Sequence, residues 1–353
     1  MEITRRRFLI SLGAVAEGFR TRPTAASVET SLSRFEFTEP HLGTMMKIVL
    51  YASDQPAATA ASRAAFDRIA ALDHIMSDYD AGSELMQLCR AAGGPPVTLS
   101  EDLWRVMAAA QDLSEKSNGA FDITVGPVVQ LWRRARRRHE LPEPERLAAA
   151  LALVGYQSVI LDTKRRTARL LKPGMRLDLG GIAKGDAADQ ALIVLRRNGI
   201  PIALVAAAGD IAAGDPPPGR TDWRIGIEAF ESPASPPSEF VGIHNSAVST
   251  SGDSEQNVEI GGVRYSHIIN PKTGTALTGR RSATVTAPHD INADCYATAL
   301  CVMGPERGFK LIARLPGGAA LMVQDEAGQI RRRQTARFPA LAPLHHSAGA
   351  DAQ

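Results

Sequence analysis

Three short stretches carry the side chains best suited to chemistry. They are residues 175–185 (MRLDLGGIAKG), 264–274 (RYSHIINPKTG) and 290–303 (DINADCYATALCVM). Together they supply a lysine, a histidine and several carboxylates, the groups that bind anions, transfer protons and hold hard cations.

The first stretch reads as a strand, a glycine turn and a helix. Residues 175–179 alternate apolar with polar side chains, which predicts a strand with one buried face. Helical spacing begins at Ile182, so Lys184 lies in the first helical turn, where free backbone N–H groups and the helix dipole attract anions. Asp178 could hold a donor or help to order a metal. The pattern is neither a Walker A loop nor G-x-G-x-x-G, and alone it also fits a plain tight turn.

The second stretch places His267 at the end of a strand over residues 265–269, beside a turn at 270–274 (NPKTG). A lone histidine is usually structural. Imidazole is nevertheless the side chain best matched to proton transfer near neutral pH, so His267 is a candidate general base.

The third stretch predicts a helix that Asp290 or Asn292 could cap. Asp294 and Thr298 are four residues apart and share one face of it. A carboxylate and a hydroxyl are hard ligands suited to Mg²⁺ or Ca²⁺ rather than zinc. Two oxygens are a weak signal, and a carbonyl of the Gly180–Gly181 turn with substrate phosphates could complete the shell.

Three further features are open to two interpretations. Tyr79, just beyond a helix end, could stack on a planar ring, although a lone tyrosine more often packs at a rim. Asp122 in an apolar segment is either a satisfied structural carboxylate or a ligand contact. The run 133–138 (RRARRR) favours a solvated helical face over contact with an acidic partner.

The remaining pattern predicts the elements that must position these groups. After a polar linker to about Glu36, apolar periodicity and turn residues predict helices at 57–76, 101–117 and 307–314, and strands at 41–52, 201–207, 223–230, 240–251, 319–323 and 329–335.

Composition narrows the class of protein. The 353 residues are 44% hydrophobic with a formal charge of +2, which is ordinary for a globular chain and offers no basic field for nucleic acid. No apolar run is long enough to span a membrane. Three cysteines, at 89, 295 and 301, are too few and too scattered for a disulfide framework or a zinc site.

The first residues have the features of an export signal. Residues 4–10 (TRRRFLI) precede a short apolar run and a small-residue site near Ala26, which predicts a twin-arginine signal peptide over 1–26 and a periplasmic location. A basic disordered terminus is the alternative, and Glu17 makes cleavage less certain than export. We expect one domain over 36–338 and a disordered tail over 339–353.

Nine pieces of the sequence together resemble a known family. HLGTMM, MSDYD, GAFDITVGP, LDLGGIAKG, AAGDI, WRIGIE, VSTSGD, YSHIINPKTG and NADCYATAL occur in the order found in the ApbE family of FAD:protein FMN transferases and span about residues 40–325. The resemblance implies an α+β fold with mixed sheets and helices around a flavin cleft.

The resemblance also implies roles for particular residues. Family members bind FAD and Mg²⁺ and transfer FMN to a Thr or Ser hydroxyl of a target flavoprotein, releasing AMP. His267 resembles the proposed catalytic base, and the metal ligands would be the Gly181 carbonyl, Asp294 and Thr298. FAD contacts would include Leu42, Tyr79, Ala120, Phe121, Asp122, Asp178, Lys184 and Ile268.

The chain departs from the family pattern at three places near the flavin. Leu42 replaces a common Met, Asn270 replaces the usual Asp, and Ala208 stands where a second glycine is common. These changes leave room for altered flavin affinity, but none removes an implied metal ligand or the base.

Three functions follow from the resemblance. The first is an exported flavin transferase whose acceptor is a flavoprotein subunit of a membrane redox complex. The second is a Mg²⁺-dependent FAD pyrophosphatase that yields FMN and AMP. The third is a flavin-binding accessory factor, since exported members resemble NosX, which is linked to nitrous oxide reductase maturation.

Overall fold

Antiparallel pairing dominates this computed structural model, which describes residues 31–227, 230, 237, 239–252, 256–326 and 328–343. The predicted signal peptide lies outside the described residues. From Leu32 onward the chain forms one unit. No helix in the described ranges is long and apolar enough to cross a membrane.

The described residues form eight α-helices. They are α1 (Gln55–Met76), α2 (Glu84–Arg90), α3 (Glu101–Lys116), α4 (Gly126–Arg138), α5 (Pro144–Leu151), α6 (Ala183–Arg197), α7 (Asp290–Met303) and α8 (Pro305–Ile312). The side chain of Asp54 caps α1 and that of Ser100 caps α3.

An eight-stranded sheet forms the centre, in the order β1-β2-β6-β7-β10-β14-β15-β16. Its strands are β1 (Ser33–His41), β2 (Thr44–Ala52), β6 (Ala203–Ala207), β7 (Asp210–Ala213), β10 (Ser246–Gly252), β14 (Arg281–Ala287), β15 (Ala319–Glu326) and β16 (Gln329–Gln334).

Three smaller sheets surround it. They have the orders β3-β5-β4, β17-β9-β8 and β11-β12-β13. Their strands are β3 (Val97–Thr98), β4 (Val159–Asp162), β5 (Thr167–Leu170), β8 (Trp223–Ile227), β9 (Glu239–Ile243), β11 (Asn257–Ile260), β12 (Val263–Ile269), β13 (Ala276–Thr278) and β17 (Ala342–Pro343).

The central sheet is buried on both faces. Successive side chains of a strand point to opposite faces, and in β2 the two sets enter different cores. Ile48 packs with helix residues such as Ile69 of α1, whereas Val49 packs with Trp223 and Val241 of the β17-β9-β8 sheet. On one face of the sheet, α1, α6 and α7 pack against the strands. The ends of these helices line the site.

Two predicted elements differ in the structure. Residues 175–179 bury Met175, Leu177 and Leu179 in alternation but form no strand, because their backbone N–H groups reach loop or side-chain acceptors. The N–H of Leu177 donates to Cys89 Sγ and that of Asp178 to Ile123 O. The predicted buried face is therefore confirmed, but the predicted strand is wrong.

The predicted boundaries are also corrected. The linker to Glu36 is wrong, because β1 begins at Ser33 and pairs with β2. The single strand predicted over 240–251 is two strands, β9 and β10, which belong to different sheets. The tail predicted to be disordered from 339 is ordered as far as Pro343, which pairs with Glu239; residues 344–353 lie outside the described residues. Helices α2 and α5 were not predicted.

Candidate active site

All of the site residues predicted from the sequence line one cleft of about 920 Å³. The ends of the elements around it supply the lining, and the predicted residues among them are Leu42, Tyr79, Ala120, Phe121, Asp122, Asp178, Gly181, Lys184, His267, Ile268, Asp294 and Thr298.

Lys184, in the first turn of α6, faces two carboxylates. Its Nζ lies 3.0 Å from Asp210 Oδ2, 3.6 Å from Asp294 Oδ2 and 3.1 Å from the Gly180 carbonyl oxygen. Burial opposes the charge, but Asp210 and Asp294 outweigh burial and raise the pKa of Lys184 above its ordinary value. The lysine is therefore a fixed cation at the helix N-terminus, and part of its charge is already balanced by these acids.

The three implied metal ligands line the same cleft. A Cβ built on Gly181 would lie 3.1 Å from Thr298 Oγ1, so the glycine backbone is adjacent to that hydroxyl. Thr298 Oγ1 also lies 3.2 Å from Ser251 Oγ. Asp294 is buried one helical turn before Thr298, and its Oδ2 accepts from Gly185 N at 3.2 Å.

Oxygen donors of this kind fit Mg²⁺. The described residues contain no group of three His, Cys, Asp or Glu side chains that could hold a metal ion, so a cation here needs carbonyl, hydroxyl and substrate oxygens beside one carboxylate. Burial, with the nearby Asp210 charge, raises the pKa of Asp294 to about 7. A bound cation would favour the ionised form of this carboxylate.

The cap predicted for α7 is wrong, and the real cap comes from α6. Neither Asp290 nor Asn292 caps this helix. Asp189 does, because its carboxylate accepts from the N–H groups of Asp290 and Ile291 at 2.9 Å each. Both carboxylate oxygens of Asp290 are buried and have no hydrogen-bond partner among the described residues. Burial and the neighbouring Asp210 raise the pKa of Asp290 well above its usual range.

Helices α6 and α7 touch at Gly185. A Cβ at this position would clash with the carbonyl oxygen of Asp290. Glycine therefore lets the helix that carries Lys184 approach the helix that carries Asp294 and Thr298.

Arg133 joins the glycine turn to the far wall of the cleft. Its guanidinium pairs with Asp78 and lies 2.8 Å from Asp178 Oδ2. It also sits over the Tyr79 ring, 4.5 Å from its centroid. Asp178 Oδ1 accepts from Gly180 N at 2.8 Å, so Asp178 holds donors rather than standing free. The predicted solvated face is wrong for Arg133, which is largely buried.

Tyr79 keeps its ring available. The residue is 79% exposed at the rim of the cleft, and Arg133 covers one of its faces. A planar ring bound in the cleft could stack on the opposite face of Tyr79.

His267 lies near the end of β12, and a neighbouring carbonyl group determines which of its ring nitrogens carries the proton. The carbonyl oxygen of Gln256 lies 3.0 Å from His267 N and 3.1 Å from Nδ1. A carbonyl only accepts, so Nδ1 carries the proton and Nε2 is the nitrogen able to take one. The side chain lines the cleft, as a base must.

The carboxylate of Asp122 is satisfied by hydrogen bonds from its own chain. Its Oδ1 accepts from Thr124 N and Oγ1 at 2.8 and 2.6 Å, and its Oδ2 accepts from Tyr156 N at 2.8 Å. Burial raises its pKa despite these bonds. These hydrogen bonds hold the wall in which Ala120 and Phe121 lie, and the contact of Asp122 with FAD stays a prediction.

Leu42 occupies a tight turn between β1 and β2. Leu42 and Gly43 have φ values of 51° and 72°, and the Leu42 N–H donates to Asp73 Oδ2 at 2.8 Å. Two successive left-handed residues are typical of a type I′ hairpin turn. The turn brings backbone to the cleft.

Sequence reasoning missed two charged residues of this site. Asp210 was seen only as part of a turn, and Arg133 as part of a charge run. Asp210 directly follows a buried strand and a glycine, a position that could have marked it. Nothing local marks Arg133, because its partners are 45 and 55 residues away.

Comparison with known proteins agrees with this geometry. A model of the ApbE family matches residues 42–323. The chain belongs to the ApbE family. A relative named FAD:protein FMN transferase from Treponema pallidum (strain Nichols) is 34% identical over 298 residues, which cover 80% of this chain and 82% of the relative. One from Klebsiella pneumoniae (strain 342) is 31% identical, covering 78% and 84%.

Solved ApbE structures have the same fold. The flavin transferase ApbE from Vibrio cholerae superposes with a TM-score of 0.78 at 29% identity, covering 87% of this chain and 99% of that one. The apo flavinyl transferase ApbE from Pseudomonas stutzeri gives 0.75 at 30% identity, covering 87% and 96%. The expected α+β fold with mixed sheets and helices is confirmed.

Proposed function

We propose that this chain is an FAD:protein FMN transferase. It uses Mg²⁺ to attach FMN through a phosphoester to a Thr or Ser hydroxyl of a target flavoprotein, and it releases AMP. The observation that carries the proposal is the convergence of Lys184, Asp294, Thr298 and His267 on one cleft in a member of the ApbE family.

The charges of the cleft suit a pyrophosphate. Mg²⁺, held by the Gly181 carbonyl, Asp294 and Thr298, would supply positive charge to the phosphate oxygens. Lys184 adds a fixed cation at the N-terminus of α6, where backbone N–H groups also favour an anion. Arg133 holds the Asp178 carboxylate against Gly180 and so keeps the glycine turn in place.

His267 is the residue assigned to the proton. Nε2 would accept the proton of the acceptor hydroxyl as that oxygen forms a bond to the phosphorus of the FMN half. The bond between this phosphorus and the oxygen of the AMP phosphate breaks, and AMP leaves with the electron pair. A positioned base of this kind contributes about 10²–10⁴ in rate.

The place of action belongs to the same proposal. The twin-arginine pattern supports export of the folded protein to the periplasm. The acceptor would then be a flavoprotein subunit of a membrane redox complex that exposes its target hydroxyl on that side.

A mass measurement tests the proposal. The purified protein is incubated with FAD, Mg²⁺ and an acceptor domain from a flavinylated respiratory subunit, with and without a metal chelator. A gain of one FMN that the chelator prevents, accompanied by AMP, supports the transferase. FMN and AMP in solution without an adduct would instead indicate a pyrophosphatase. FAD retained without either product would indicate an accessory flavoprotein.

A further inference from the structure

The last turns of α4 carry more positive charge than the described structure balances. Five of its last six residues are arginines. Among the described residues, Arg133 pairs with carboxylates, and the other four make no ion pair; they are Arg134, Arg136, Arg137 and Arg138.

These four arginines lie on two sides of the helix. Arg136 and Arg137 follow Arg133 by three and four residues and therefore share its side, which faces the cleft. Arg136 lines the cleft, and Arg137 is exposed. Arg134 and Arg138 instead border a small groove whose lining includes two glutamates, so charge of both signs is present there.

Arg136 is the unusual member of the pair. Burial lowers its pKa, and the neighbouring Arg133 lowers it further. A partly buried guanidinium at the mouth of a cleft, with no carboxylate partner among the described residues, is a place for an anion from elsewhere.

The position of the pair favours an acceptor protein over FAD. The groups suited to the pyrophosphate gather around Gly181, Lys184 and Asp294. Arg137 is not among these groups. It is exposed to solvent, so a ligand of Arg137 approaches from outside the cleft. An acceptor that delivers a hydroxyl into the cleft past Arg136 would lay its flanking residues beside Arg136 and Arg137.

We propose that Arg136 and Arg137, the arginine rim, bind Asp or Glu side chains that flank the target hydroxyl of the acceptor protein. The inference rests on the proposed transferase function. It specifies that the site selects acceptor segments with negative charge around the target hydroxyl. With a formal charge of only +2, the chain has little overall field, so this local patch would provide electrostatic complementarity.

The test is a binding measurement that needs no turnover. Two short labelled peptides share a central threonine; one has Asp residues on both sides, and the other has Asn at the same positions. Their dissociation constants are measured by fluorescence anisotropy at low and moderate salt. The proteins are the wild type, Arg136→Gln/Arg137→Gln and the matched control Arg134→Gln/Arg138→Gln, which removes the same charge from the other side of α4.

We expect the Asp peptide to bind the wild type about tenfold more tightly than the Asn peptide, a preference that salt weakens. The preference should fall to about onefold in Arg136→Gln/Arg137→Gln and persist in the control. Equal loss in both double variants would overturn the assignment to the rim, as would peptides that bind alike. A preference that survives while FAD affinity falls tenfold would assign the pair to FAD.

Folding is checked independently. Arg137→Gln alone changes an exposed side chain and should remove part of the preference without lowering the melting temperature. The anisotropy measurement needs no catalysis. If the protein transfers no FMN, the proposed function is contradicted, but the peptide affinities still show whether the arginine rim binds acidic residues.

Discussion

Asp189 on α6 caps α7: its carboxylate accepts hydrogen bonds from the backbone N–H groups of Asp290 and Ile291, each at 2.9 Å. The helix that carries Lys184 is thus fixed to the start of the helix that carries Asp294 and Thr298. One half-buried carboxylate connects the two sides of the proposed pyrophosphate site.

Replacing Asp189 by Ala should loosen this connection. Loss of a helix N-cap costs about 1–2 kcal/mol, so we expect that decrease in the free energy of unfolding, measured with urea. The Mg²⁺ concentration for half-maximal activity should also rise. Asp112→Ala is the control, because it removes an exposed salt bridge to Lys116 and should cost less than about 1 kcal/mol. Equal stability in the two variants would contradict the capping role.

Asp294→Ala should abolish Mg²⁺-dependent activity, because it removes the one carboxylate among the three proposed ligands. The expected loss is at least about 10²-fold, read as FMN formed or transferred over a range of Mg²⁺ concentrations. Asn292→Ala lies on the same helix outside the cleft and should behave as wild type. Full activity in Asp294→Ala would rule out the metal assignment.

His267→Ala should retain FAD binding and lose transfer by about 10²–10⁴-fold. Flavin fluorescence reports the binding, and acceptor mass reports the transfer. The matched control is His244→Ala, since His244 pairs with Asp222 on the surface and does not line the cleft. If both binding and turnover survive in His267→Ala, the histidine is structural.

Asp102 should make the stability depend on pH. The Arg68 hydrogen bond, joined by Arg105 and opposed by burial, lowers the pKa of this carboxyl to about 2 from 3.8. A lowered folded-state pKa stabilises the protein above the unfolded pKa, and this stabilisation is lost as pH falls toward the folded value. It amounts to about 2 kcal/mol at neutral pH.

The check is urea unfolding of the wild type and Asp102→Asn. The difference in the free energy of unfolding should be about 2 kcal/mol at neutral pH and about half of that near pH 3. A difference that does not change with pH would show that packing, rather than charge, accounts for the effect of the substitution.

The sequence predicted the parts of the fold that are set locally. Ser100 marks the start of α3 because its side chain bonds Leu103 N, three residues away. The segment 175–179 shows the limit: alternation correctly identified its buried face, but a strand also needs a neighbouring ladder, and local pattern does not show whether one exists.

The site was predicted in a similar way. Family motifs identified twelve residues that the structure places on one cleft. The cap of α7 was assigned wrongly because the capping carboxylate is 101 residues away. Arg133 was assigned to solvent because Asp78 and Asp178 approach it only in the folded chain. Long-range ion pairs leave no periodic trace in a single sequence.

The central claim is that the FMN half goes to the acceptor and the AMP half leaves. FAD labelled with ³²P in one phosphate or the other tests it directly, with Mg²⁺ and an acceptor domain separated from solution after the reaction. We predict that the label of the FMN phosphate moves onto the acceptor and that the label of the AMP phosphate stays in solution as AMP. Label from the AMP phosphate on the acceptor, or both labels in solution, would contradict the account.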